Sequence, residues 1–205
     1  MTMFSRLLLA SFVAATFLSV GLAQEKKEKE QPKPQRVVIR VVIKGEFVDD
    51  LVAEAPGTWK VQESTKQFRL FEITMPSGEK DVADGTLVIT HFGSGGGGDI
   101  DANLKRWYGQ IEQPDGTPTE KVAKKPETIK TDAAKITWLD LSGTLLDRPF
   151  PASPNVTKRP KYRMFTAMID GGKEGPYWLR ATGPEAVMQS HRDGFEKFLK
   201  SINKK

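Results

Sequence analysis

Apolar positions at the start of the chain are continuous rather than periodic. Arg6 precedes a mostly apolar run, 7–20, relieved by Ser11, Thr16 and Ser19, and Gly21, Leu22 and Ala23 follow it. A basic residue, an apolar stretch and a small-residue site are the parts of an export signal, so cleavage is expected after Ala23. The alternative is an uncleaved anchor, because a run of this length is at the lower limit for a spanning helix. Residues 24–35, QEKKEKEQPKPQ, contain no apolar side chain. Such a segment cannot offset its own ordering entropy and reads as a disordered tether. Residues 36–44, RVVIRVVIK, are dense in β-branched residues, the composition of a strand. They open a strand-forming extension, 36–54, that either joins the sheet of the following domain, 55–205, or simply precedes it.

Within that domain, short alternating runs predict strands around Trp59 and Val61, over 68–75 (FRLFEITM) and over 86–92 (TLVITHF). The last two are separated by turn residues and should be antiparallel neighbours. Ile100, Leu104, Trp107, Tyr108 and Ile111 then recur at helical spacing, with Asp99 or Asp101 as the cap. Residues 121–131 predict an edge strand or two short strands broken at Pro126. Residues 135–145 predict a longer strand whose Ile136, Trp138 and Asp140 share a face. A proline-rich loop, 148–160, leads to strands over 162–169 and 177–181. The chain ends in a helix with Thr182 and Glu185 as a capping box and Val187, His191, Phe195, Phe198, Leu199 and Ile202 as its apolar stripe. These elements describe one α+β domain built on an antiparallel sheet.

Composition narrows the setting. The 205 residues include no cysteine, so an exported chain must hold itself together by burial alone, which suits a bacterial periplasm. The net charge of +5 comes from Lys and Arg interspersed with Glu and Asp. That is a solvated surface rather than the footprint of a nucleic-acid partner. Once the signal is removed, no stable membrane insertion is expected, and the localisation is periplasmic or secreted.

Candidate chemistry is sparse. The glycine-rich run 93–98 lies between a strand and a helix, where backbone N–H groups can cradle an anion. It ends in Gly98 and Asp99 instead of the Gly-Lys-Ser/Thr that a P-loop requires. The run is therefore a connector or a loop that grips a ligand or partner. In the latter case Gly95, Gly96, Gly97 and Gly98, with Lys105, Arg106 and Trp107 on the next helix, form the candidate site. Asp99 and Asp101 lack the oxygen series of a calcium loop. His91 and His191 are too few and too far apart for a zinc site, and no Gly-x-Ser-x-Gly elbow nominates a nucleophile. No metal, cofactor or catalytic residue is assigned.

Two resemblances follow from these residues. Pro176, Tyr177, Trp178 and Leu179, then Thr182, Gly183, Pro184 and Glu185, then Phe195, Phe198, Leu199, Ser201 and Ile202 together resemble the close of the PsbP and Ran-binding Mog superfamily. The likeness runs over about 55–203, without a photosystem-specific motif. It implies a sheet with helices on both faces, acting as an extracytoplasmic accessory or binding domain. The second set comprises residues 55–60 (APGTWK), the 92–98 loop, Asn103, Arg106, Trp107 and Gln110, residues 113–116 (QPDG), and Tyr162, Arg163 and Met164. It resembles a group of exported bacterial proteins of planctomycete type with no assigned function. The expectation is an exported, non-catalytic binding or accessory protein whose partner is a protein or envelope component. The competing expectations are an envelope hydrolase with acids converging from separate strands, and a structural component that pairs through the 36–44 strand.

Overall fold

The computed structural model describes residues 32–43, 46–149 and 153–205. The expected signal, the tether up to residue 31 and part of the proline-rich loop lie outside them.

The N-terminal extension is part of the core. Strand β1 (Gln35–Ile43) pairs antiparallel with β2 (Glu46–Ala55), and β2 pairs with the short C-terminal strand β11 (Asn203–Lys204). Period-two alternation places Val37, Ile39, Leu51 and Ala53 inward, each at most 1 % exposed. The residues around the start of β1 are also pinned: Gln35 Nε2 donates to the carbonyl of Trp59 at 2.5 Å, and the backbone of residues 32 and 33 lies against Gly57. Residues 32–35 of the segment expected as a tether over 24–35 are therefore held against the domain, and the compact unit begins near residue 31 instead of 55.

Eight further strands form the main antiparallel sheet among the described residues. Along its path run β3 (Lys60–Glu63), β4 (Arg69–Met75), β5 (Gly85–His91), β10 (Tyr177–Pro184), β9 (Thr157–Asp170), β8 (Lys135–Asp147) and β6 (Ile111–Glu112). Strand β7 (Glu127–Lys130) pairs with the start of β8. Of the segment 121–131, expected as an edge strand or two short strands, the part after Pro126 is β7, and the part before it begins in a helical turn, α2 (Thr119–Val122). The fold is α+β on an antiparallel sheet.

The sheet's two faces carry different cores. On one face Phe71, Ile73, Leu87, Ile89, Ile136, Trp138, Phe165 and Leu179 merge with the small sheet and the last helix, α3 (Glu185–Lys200). The stripe expected on α3 is buried at Val187, Phe195, Phe198 and Leu199, with Met188 added to it. The expected capping box does not form. Thr182 is still paired in β10, the helix begins after Pro184, and no side chain caps it. Asp140 instead ties α3 to the sheet. It accepts from Arg163 at 2.6 and 2.7 Å and from Arg192 of α3 at 3.1 Å, while the Arg192 guanidinium stands over the Trp138 ring.

On the other face Leu139, Leu141, Met164 and Trp178 are covered by helix α1 (Ile100–Tyr108) through Trp107, Leu104 and Tyr108. Asp99 caps α1, its side chain accepting from the Ala102 N–H at 2.8 Å. Nine residues of helix cannot cover a face this wide. The part of that face on β5 and β10 beyond α1 is left as the floor of a cleft.

Candidate functional site

A cleft of about 450 Å³ lies between α1, the end of β8 and the uncovered sheet. Val88, Thr90 and Arg180 belong to its floor and Trp178 to its wall, and Arg69, Arg106 and Arg148 reach it from β4, α1 and the segment after β8. Among the described residues four guanidinium groups line it, and no carboxylate does.

The arginines are not equivalent. Arg69 is neutralised by Glu72, 2.6 Å away. Arg106 donates to the amide oxygen of Asn103 and stays exposed at the rim, as does Arg148. Arg180 is the unusual one. It sits mid-strand on β10, paired across to Val88 on β5 and Thr166 on β9. Its Nε is buried without an acceptor. The guanidinium has no ion pair or hydrogen bond to any described residue. Burial pushes its pKa below the ordinary arginine range. The charge of Asp147 opposes that shift and the charges of Arg69 and Arg106 add to it. An uncompensated charge in such a position costs free energy. Gln110 also lines the cleft with its Oε1 buried and unpartnered.

The residues expected to form a site are only partly together. Arg106 and Trp107 line the cleft, whereas Lys105 faces a separate depression with Glu112 and Glu120. Gly95, Gly96, Gly97 and Gly98 are not among its lining residues. The loop has a fixed role: the buried Asn103 amide donates to the carbonyls of Gly97 and Asp99, both at 2.8 Å. At Gly97 φ is +86°, and a Cβ there would lie 2.2 Å from Trp178 Nε1 and 3.1 Å from Phe92. Glycine is required because the loop backbone lies flat on two walls of the cleft. Gly97→Ala is therefore expected to cost about 2 kcal/mol or more in urea unfolding, from both the left-handed strain and the collision. Gly95→Ala, with the same sign of φ and open space around it, should cost about 1 kcal/mol.

The histidines serve the core. His191 Nδ1 accepts from Trp59 Nε1 at 3.1 Å, which leaves the ring proton on Nε2 facing the Pro76 carbonyl at 2.8 Å. His91 stacks on Tyr177 at 4.8 Å. Tyr177 donates to Asp50 at 2.6 Å, and burial together with that bond pushes its phenol above the usual range. The segment at Gly172 closes over this cluster, leaving no room for a Cβ against Tyr177. Desolvation holds the His91 pKa below its ordinary value of 6.5, opposed by the Glu174 backbone and the Asp50 charge. Above about pH 6.5 the imidazole is neutral in both folded and unfolded chains. As pH falls below that value the unfolded chain takes up a proton that the folded one resists, so stability declines towards the depressed folded pKa. In His91→Phe, which keeps the stacking, melts at pH 7.5 and pH 5 should lose that component of the decline.

Among the described residues no acid lines the cleft. The buried carboxylates of Asp50 and Asp140 are bonded to Tyr177 and to Arg163, both on the other face of the sheet. Among the described residues no helix is long and apolar enough to cross a membrane.

Arg69, Gln110, Arg148 and Arg180 were not among the candidates from sequence. One signal for Arg180 was present: in the central strand segment YWLRA a charged residue interrupts an apolar run. No family model matches the chain, and neither does any curated protein. A solved structure from Bacteroides thetaiotaomicron VPI-5482 covers 76% of this chain at 13% identity, with a TM-score of 0.40. The chain spans 45% of that protein's length.

Proposed function

We propose that the chain is an exported, non-catalytic binding or accessory protein of the periplasm or cell envelope, and that it works through the arginine cleft as an anion site. The observation that carries this reading is Arg180, a guanidinium held on the floor of a cleft without a counter-ion or a hydrogen bond from any described residue. Side chains placed at such a cost are common where a ligand supplies the missing partner. The surroundings suit a bound molecule: a concave, largely apolar surface with a few converging polar groups. An antiparallel sheet with α1 and α3 on opposite faces also supports the PsbP-like reading, in which such domains serve as accessory modules.

The test is a thermal-shift series with inorganic sulfate, aromatic carboxylates and neutral sugars. An anion at a hundred times its dissociation constant should stabilise the protein by about 2.7 kcal/mol, a rise of several degrees. In Arg180→Met the rise should vanish. A panel in which no anion shifts the melt, or a shift that survives in Arg180→Met, would contradict the assignment.

A further inference from the structure

The number and placement of the charges allow the ligand class to be narrowed, an inference that rests on the cleft being the binding site. Arg69 already has Glu72. Arg106, Arg148 and Arg180 have no carboxylate within ion-pairing distance among the described residues, and they reach the cleft from three separate elements. A ligand with a single negative charge, seated on Arg180, would leave the two rim cations without a counter-ion among the described residues. The rest of the surface is not that of a bare-ion site. Trp107 and Trp178 meet edge to face in its wall, Val88 and Leu146 are apolar, and Phe92 is 40 % exposed at the edge, stacked against the half-exposed Phe68 at 5.4 Å. That surface takes the carbon frame of an organic molecule rather than a hydrated inorganic ion.

We infer that the cleft takes a compact organic polyanion, with one oxyanionic group held deep by Arg180 and further ones held at the rim by Arg106 and Arg148. Guanidinium groups suit carboxylate, sulfate or phosphate oxygens alike, because the planar fork donates two parallel hydrogen bonds. The deep contact sets whether an anion binds. The rim contacts set the preference for multiple charge.

Titration calorimetry of the full chain at constant ionic strength separates these roles. The probes are benzoate, benzene-1,3,5-tricarboxylate and inorganic sulfate, which vary charge on one frame and then remove the frame. The tricarboxylate should bind at least tenfold tighter than either of the others. Arg148→Gln, an exposed position that does not threaten folding, should weaken the tricarboxylate about five- to tenfold and leave benzoate unchanged. Arg106→Gln should behave similarly, and Arg180→Met should remove binding of all three. Equal affinity for benzoate and the tricarboxylate, or rim variants without effect on the tricarboxylate, would overturn the polyanion inference and leave the anion site standing. Sulfate binding as tightly as the tricarboxylate would overturn the organic-frame part. Binding of none of the three to the wild-type chain would remove both the inference and the site it rests on.

Discussion

A chain beginning at residue 46 is expected to lose at least about 5 kcal/mol of stability, a fall of about 10 °C or more in melting temperature. Val37 and Ile39 are buried to 1 % and 0 %, and side chains of that size contribute about 1.5–3 kcal/mol each when removed from water. The deletion also strips β2 of its longer partner along the whole register from Gln35 to Ile43. It removes Gln35, whose amide satisfies the Trp59 carbonyl in the turn that seats Trp59 beneath α3. A truncated chain that melts within a degree or two of the full one would mean that β1 simply precedes the domain. The point variant Ile39→Ala, expected to cost about 2–5 kcal/mol, distinguishes loss of packing from loss of chain.

Asp140→Ala is expected to destabilise the protein by about 3–5 kcal/mol. The Asp140 side chain is only 8% exposed and receives two bonds from Arg163, itself 17% exposed, plus one from Arg192. Removal leaves Arg163 with Gln189 and the face of the Phe165 ring but with no carboxylate among the described residues, whereas Arg192 keeps Glu196 at 3.2 Å and the Trp138 ring. Most of the loss therefore comes from stranding Arg163. The double variant Asp140→Leu with Arg163→Met should recover the greater part of it, because replacing a buried pair with apolar groups of similar volume is close to neutral. If the single change costs under 1 kcal/mol in urea unfolding, the network is not what fastens α3 to β8 and β9.

Periodicity carried the sheet and failed at its ends. The run FRLFEITM alternates because one face of its strand is buried, YRMFTAMI is nearly continuous because β9 is covered on both faces, and both became strands of the main sheet. The same alternation placed Asp140 beside Ile136 and Trp138, on the face where α3 later meets it. Residues 46–55 were harder, since Asp49, Asp50 and Glu54 interrupt the apolar pattern; Asp50 is buried only because Tyr177 and the Lys173 N–H, both over a hundred residues away in sequence, satisfy it. The capping box at Thr182 failed for a related reason. Strand pairing with β5 and β9 claims the backbone of Thr182 before it can cap anything.

The site was less legible than the fold. Glycine content drew attention to 93–98, yet those residues support Phe92 and Trp178 from behind. Arg69, Arg106, Arg148 and Arg180 come from four separate segments, and nothing in their spacing announces that they meet. Arg180 alone carried a local hint, a charge inside a central strand.

On the proposed reading, Arg180 is kept on the cleft floor for a ligand at the expense of the fold. The decisive measurement is urea unfolding of Arg180→Met beside the wild-type chain, both without added anions. Removing an unpaired, desolvated charge should raise stability by roughly 1 kcal/mol, seen as a higher midpoint at unchanged slope. A variant less stable than wild type by 1 kcal/mol or more would show that Arg180 serves the fold itself, and the cleft would lose its claim to be a binding site.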